Sequence, residues 1–121
     1  MRPVRVLFGT LPAPLHAALS EAISSQTDIE MVGVAIRPTS LLVEAGVLGA
    51  DIVVVALSGA APPGVTSHLL DQYPHIRVVA VAPDGRQALV SGMRPYVEHI
   101  TDASPAGLVH AMWRLGEQPD D

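Results

Sequence analysis

The chain has 121 residues, of which 49% are hydrophobic and 16% charged, a length and composition that suit one domain with an apolar core. It contains no cysteine, which excludes disulfides and thiol chemistry. The formal net charge is -5 and the seven basic residues are arginines spread singly along the chain, so we expect no nucleic-acid binding by this domain alone. No apolar stretch approaches the roughly 20 residues of a membrane span and no signal-peptide pattern opens the chain, so we expect a cytoplasmic protein that does not bind membranes.

The first half of the chain alternates between strand-like and helix-like segments. Residues 4–8 and 29–36 are strand-like, and apolar residues at helical spacing follow each of them. Thr39 or Ser40 is the candidate cap of the second helix. Residues 51–57 are apolar without alternation, which is typical of a parallel strand covered on both faces. The apolar positions of the two helices are Leu15, Leu19, Ala22 and Ile23, and then Leu41, Leu42, Ala45 and Leu48.

The second half continues the alternation. Residues 65–73 have the spacing of a third helix, and residues 76–82 repeat the pattern of the third strand. Asp84 is the candidate cap of a short fourth helix, and a fifth strand is predicted at residues 96–100. The apolar side of that fourth helix would consist of Ala88, Leu89 and Met93.

The last helix has the clearest boundaries in the sequence. Ser104 is its predicted cap, Pro105 follows at the first turn, and Gly116 is its predicted end. The domain is therefore expected to span residues 1–116, followed by a polar tail at 117–121. Five strand-helix units of this length predict an α/β domain with a doubly wound parallel sheet and helices on both faces.

Four short segments occur in an order and at a spacing that span nearly the whole chain. They are Arg5-Val6-Leu7, Asp28-Ile29-Glu30-Met31-Val32-Gly33, Ala50-Asp51-Ile52-Val53-Val54-Val55 and Thr101-Asp102-Ala103-Ser104-Pro105. Together they resemble the receiver domains of NarL/FixJ-type response regulators. The resemblance implies a flavodoxin-like, five-stranded sheet of order 2-1-3-4-5 and a role in two-component signal transduction or transcription regulation.

In that family, the crevice at the carboxyl ends of the strands holds a phosphoryl group on an aspartate, with acidic residues for Mg²⁺, a hydroxyl and a lysine. Matching the segments puts other residues there: Thr10 and Leu11 for the acidic pair, Ala56 for the acceptor, Ala82 for the hydroxyl, and Thr101 or His99 for the lysine. The chain contains no lysine, and its first acidic residue is Glu21. The resemblance therefore implies a pseudo-receiver without the phosphorylation chemistry, with no metal and no cofactor.

Other candidate sites in the sequence favour structural interpretations. None of the five histidines forms an i, i+4 pair, although His99 is of interest for its place near the crevice. Ser58-Gly59 lacks the surroundings of a nucleophile elbow, and Gly9-Thr10 is followed by prolines instead of phosphate-loop glycines. The sequence therefore predicts no enzyme active site.

The leading hypothesis is a regulatory module that contacts a protein partner or forms a homodimer. Its candidate interface follows from the surface that receiver-like domains commonly use and consists of Arg86, Arg94, Glu98, Val109 and Trp113. The alternative for Trp113 is a place at the rim of the core. The alternative function is a small-molecule sensor, because Ala56 and Ala82 would leave apolar walls in the crevice unless Leu11 or a loop residue fills the space.

Overall fold

Strands and helices alternate along most of the chain. The computed structural model describes residues 3–57, 64–82, 84, 86–92, 97–100 and 102–117, with the backbone alone at 97–99, 116 and 117. No helix within these ranges is long and apolar enough to cross a lipid bilayer. The elements are β1 (Val4–Phe8), α1 (Ala13–Ser24), β2 (Ile29–Val34), α2 (Pro38–Val47), β3 (Ile52–Ala56), α3 (Val65–Gln72), β4 (Arg77–Val81), β5 (Ala88–Ser91), β6 (Val97–His99) and α4 (Pro105–Glu117).

The strands described above belong to one sheet, whose order is β2-β1-β3-β4-β5-β6. Strand β1 is parallel to β2 and β3, and β3 is parallel to β4. One apolar cluster packs beneath α1 and α4, and a second packs beneath α2 and α3 on the other face. Because both faces are covered, β3 and β4 are almost entirely buried. The predicted receiver-like α/β fold, with strand order 2-1-3-4-5, is confirmed.

The prediction of a fourth helix at residues 84–93 is wrong, because residues 88–91 form strand β5. This strand is antiparallel to β4, with Ala88 opposite Val81. The connection is closed by a hydrogen bond from the Ala82 N–H to the Gln87 carbonyl, 2.8 Å long. Such a connection is too short for the crossover that a parallel strand requires, so the chain turns back as a hairpin.

The last predicted strand is present as β6, which pairs antiparallel with β5. In the part of the chain that the structure describes, the sheet therefore has six strands, one more than the five predicted, and the hairpin makes it mixed where an all-parallel sheet was expected. Met93, which was assigned to the fourth helix, lies outside the described residues.

The helix boundaries confirm one predicted cap and correct another. The Ser104 Oγ accepts a hydrogen bond of 3.2 Å from the Gly107 N–H, as expected of a cap on α4. Helix α2 begins at Pro38, so Thr39 and Ser40 lie inside the first turn and do not cap it. Proline begins the helix earlier because its fixed φ suits the first helical position. At the other end of the domain, α4 includes Glu117, the first residue of the predicted tail.

Thr66 in α3 is buried, and its hydroxyl lacks a hydrogen-bond partner among the described residues. Its side chain is 6% exposed. Valine has nearly the same shape, so we expect Thr66→Val to raise the free energy of unfolding by about 1 kcal/mol, as measured by urea denaturation. Thr66→Ser keeps the hydroxyl, loses a methyl group and should be destabilised. A loss of stability in the valine variant would contradict the prediction.

Candidate functional site

The carboxyl ends of the central strands form the edge of the sheet where the sequence places the degenerate phosphorylation site. Phe8 lies opposite Val54, and Ala56 lies opposite Val81, so β1, β3 and β4 end close together. This register gathers four of the predicted positions: Thr10 and Leu11 after β1, Ala56 at the end of β3, and Ala82 directly after β4. The fifth position, Thr101, lies outside the described residues.

Thr10 and Leu11 have structural roles at this edge. The Thr10 hydroxyl donates a hydrogen bond of 2.8 Å to the Ile36 carbonyl, which ties the end of β1 to the loop between β2 and α2. Leu11 is half-buried and packs against the cluster beneath α1 and α4. Neither side chain offers the carboxylate oxygens that Mg²⁺ prefers.

Ala56 and Ala82 present only methyl groups. Ala56 lines a depression of about 160 Å³ together with Gly9 and Thr10. The Gly9 N–H donates a hydrogen bond of 2.7 Å to the Val54 carbonyl within the sheet, so it is not directed at an anion. Ala82 packs against the cluster beneath α2 and α3. No nucleophile for phosphoryl transfer is present at either alanine.

Two carboxylates follow strands at this edge, and both are bound to their own turns. Asp84 Oδ1 accepts a hydrogen bond of 2.9 Å from the Arg86 N–H. Asp102 Oδ1 accepts from the Ser104 hydroxyl at 2.6 Å and from the Ser104 N–H at 3.1 Å. These bonds from Ser104, the hydroxyl first, hold the pKa of Asp102 below its usual range because they favour the charged form. Within the described ranges, no three His, Asp or Glu side chains are grouped to hold a metal.

A group of connected charged residues lies at the opposite edge of the sheet, at the amino ends of the strands. The Arg5 guanidinium contacts Glu30 Oε1 through Nη1 at 3.1 Å, and its Nε donates a hydrogen bond of 2.9 Å to the Leu48 carbonyl. The backbone N–H of Arg5 donates a hydrogen bond of 3.0 Å to Asp51 Oδ2. Glu30 and Asp51 lie at the amino ends of β2 and β3, away from the crevice. The Arg5 side chain holds this edge of the sheet to the end of α2 through the Leu48 carbonyl.

The residues of the predicted interface are placed on different parts of the fold. Val109 is buried, whereas Trp113 is 38% exposed. Both line a groove of about 340 Å³ against the end of α1, where Trp113 stacks on His110 with ring centroids 6.4 Å apart. Arg86 lies in the turn before β5. Arg94 is outside the described residues, and Glu98 lies in β6, where only the backbone is described.

The remaining motifs singled out in the sequence are covered only in part by the described residues. The His16 ring makes an edge contact with the Phe8 ring at 5.2 Å between centroids. Ser58 and Gly59 lie outside the described residues, and His99 is described only by its backbone in β6. One exposed apolar surface was not predicted, the outer side of α2, where Val43 and Val47 are exposed. Their i, i+4 spacing was the available signal.

The chain matches no protein-family model and no curated protein sequence. Among solved structures, it is similar to the crystal structure of the response regulator domain of CheB from Thermotoga maritima, with a TM-score of 0.54 and 24% sequence identity. The match covers 67% of this chain and 61% of that chain. Together with the strand order and the helices on both faces, this likeness shows that the chain has a receiver-like fold.

Proposed function

We propose that this chain is a phosphorylation-independent pseudo-receiver of the NarL/FixJ type, which acts in signalling or transcription regulation through contacts with a protein partner or a second copy. The observation that carries the proposal is the composition of the crevice. Ala56 ends β3 with a methyl group, and the only hydroxyl described beside it, that of Thr10, is bonded to the Ile36 carbonyl. A regulator built this way is controlled by binding and not by a covalent change at this edge.

Phosphoryl transfer to a receiver requires an acceptor and charge neutralisation, and both are missing from the described part of the crevice. Mg²⁺ needs a near-octahedral shell of hard oxygens, usually with carboxylates among them. At this edge, one oxygen of Asp84 and one of Asp102 accept hydrogen bonds from their own turns, and the described residues group no three His, Asp or Glu side chains that could hold a metal ion. The chain has no lysine to pair with a phosphoryl group. These features support a protein that is not an enzyme.

Incubation with Mg²⁺ and acetyl phosphate is expected to leave the intact mass unchanged, because the crevice offers no acceptor. Titration with Mg²⁺ should likewise leave the backbone NMR signals of Thr10, Ala56 and Ala82 in place. The matched variant Ala56→Asp should also stay unmodified, since the remaining acids and the lysine are absent. A stable adduct of one phosphoryl group on the unaltered chain would overturn the proposal.

The small size of the depression described at Ala56 supports protein contacts over the alternative of a small-molecule sensor. Pockets for small ligands usually exceed about 300 Å³. The depression at Ala56 measures about 160 Å³ and has Ile36 and Pro38 on its rim. Leu11 is half-buried and packs against the cluster beneath α1 and α4. The proposal therefore assigns the activity of the domain to its outer surfaces.

A further inference from the structure

A groove, the α1–α4 groove, lies on the face of the sheet opposite to α2 and α3. It measures about 340 Å³, which is more than twice the volume of the depression at Ala56. Ile29, the first residue of β2, lines it, so the groove lies at the amino end of that strand and is separate from the crevice. Its lining also includes Ala22, Gln26, Asp28, Ala106, Val109 and Trp113.

The lining between the two helices is apolar. Ala22 of α1 and Ala106 of α4 carry only methyl groups, so they leave space between the helices. Ile29 and Val109 also line this space and are buried, with 3% and 5% of their surfaces exposed. The carbon atoms of a long side chain would lose contact with water here, which favours binding. The volume is ample for one such side chain.

Trp113 and His110 add an aromatic wall to the groove. Their rings stack with centroids 6.4 Å apart and 28° between the ring planes, because the two residues lie three positions apart on α4. The stack restricts the indole ring, and Trp113 is still 38% exposed, so a ligand in the groove can reach it. Indole rings attract cations, and the planar guanidinium group of arginine also stacks on them.

The same groove contains a carboxylate. Asp28 is exposed, and its side chain has no hydrogen-bond or ion-pair partner among the described residues. None of the described lining residues is an arginine, and the chain contains no lysine. The formal net charge of the chain is -5, so the surrounding field also favours a positive ligand. The aromatic ring and the carboxylate together are complementary to a cation.

We propose that the α1–α4 groove binds an arginine side chain of a basic partner protein. The Asp28 carboxylate pairs with the guanidinium group, the Trp113 ring stacks on it, and the arginine methylenes cover Ala22 and Val109. Two chains of net charge -5 repel each other, so the partner is a different, basic protein and not a second copy. The inference rests on the proposed function, for which it names the surface and the chemistry of the partner.

Arginine on a protein matches the groove better than lysine or a free small molecule does. Its guanidinium group is planar and can bind one carboxylate through two parallel hydrogen bonds, whereas the ammonium group of lysine is a point charge. Ser25 and Gln26 are exposed and add polar groups to the lining. A polar rim around an aromatic centre is the usual arrangement of a protein interface, in which Trp and Arg contribute much of the binding energy.

Titration with short peptides tests the site, because Trp113 is the only tryptophan of the chain and its fluorescence reports on the groove. The full chain should bind acetyl-Ala-Arg-Ala-amide with a saturable change in emission and a Kd of about 1 mM, since one side chain supplies one ion pair and one stack. Citrulline in place of arginine keeps the shape and removes the charge, so the Kd should be about tenfold higher. n-Propylguanidine, a cation without a backbone, should bind more weakly than the arginine peptide.

Substitution of Asp28 tests the ion pair. Asp28→Asn keeps the size of the side chain and removes its charge, so the Kd of the arginine peptide should rise about tenfold. Asp71→Asn is the matched control, because Asp71 is exposed on α3, on the other face of the sheet, and its replacement changes the net charge equally. This control should leave the Kd within about twofold of that of the unaltered chain. Circular dichroism would show that both variants fold.

Substitution of Trp113 tests the stack. Trp113→Ala should raise the Kd about tenfold and Trp113→Phe by less, because phenylalanine keeps a smaller aromatic face. The backbone NMR signals of Gln26 and Val109 replace fluorescence as the readout for these two variants.

Equal binding of the arginine and citrulline peptides, or equal effects of Asp28→Asn and Asp71→Asn, would overturn the inference, because the attraction would then not depend on the groove. Absence of saturable binding would overturn it as well. So would an affinity for n-propylguanidine at least as high as that for the peptide, because the groove would then serve a free cation. None of these results bears on the phosphoryl-donor experiment, which decides the proposed function separately.

Discussion

Replacing Gly107 by alanine is expected to lower the free energy of unfolding by roughly 3 kcal/mol. Alanine normally stabilises a helix relative to glycine, by about 1 kcal/mol. Here a Cβ would overlap the Asp102 carbonyl oxygen and carboxyl group at the start of α4. The carbonyl belongs to the backbone, and the carboxylate is held by two hydrogen bonds from Ser104, so neither can move away cheaply. Urea denaturation measures the effect.

Gly64→Ala is the matched control for this substitution. Gly64 precedes α3 with φ of -58° and ψ of -27°, values that alanine adopts without strain, and a Cβ there would meet no described atom within 4 Å. The substitution should be neutral or stabilising by up to about 1 kcal/mol, since alanine restricts the unfolded chain. Equal effects at positions 64 and 107 would show that the turn at Asp102 is looser than its hydrogen bonds indicate.

Truncation of Phe8 is expected to have the largest effect on stability, a loss of roughly 4 kcal/mol for Phe8→Ala. Phe8 is fully buried at the carboxyl end of β1, within the cluster covered by α1 and α4. Its ring also meets the His16 ring edge to face, at 5.2 Å between centroids. Alanine would leave a cavity next to the crevice and remove the ring contact. Thermal and urea denaturation should both record the loss.

Phe8→Leu fills most of the same space and serves as the comparison for this cavity. Its cost should stay below about 1.5 kcal/mol, because substitutions that conserve volume are tolerated best. If the alanine variant were no less stable than the leucine variant, Phe8 would not be the packing centre described. The same pair of variants would show whether the Thr10–Ile36 hydrogen bond depends on the core beneath it, since the backbone NMR signals of both residues report on it.

The fold and the crevice chemistry of this domain have separate physical origins. The sheet is held by apolar strand residues such as Val54 and Val79, which are fully buried. Ala56 at the end of β3 is only partly buried, so its side chain contributes less to that packing. A receiver-like fold can therefore persist while the side chains of its crevice change. This separation is what makes a pseudo-receiver physically reasonable.

The sequence by itself determined strands β1 to β4, helices α1 to α3, and the last helix, α4, with its cap. These elements have long apolar patterns or capping residues, and such local signals do not depend on the rest of the chain. The resemblance placed Thr10, Leu11, Ala56 and Ala82 at the strand ends, and the described strands β1, β3 and β4 end beside them. Once the parallel strands are placed, their carboxyl ends must meet at one edge.

Only the tertiary structure decided the hairpin and the exposed surfaces. Residues 88–91 are a short apolar run that fits a helix or a strand, and pairing with the edge of β4 selects the strand. Helix α2 is apolar on most sides, so its periodicity does not tell which side is covered. The sheet covers Leu41 and Ala45, and Val43 and Val47 remain exposed. Likewise, Val109 and Trp113 face α1 because the sheet brings α1 and α4 together on one face, a contact between segments far apart in sequence.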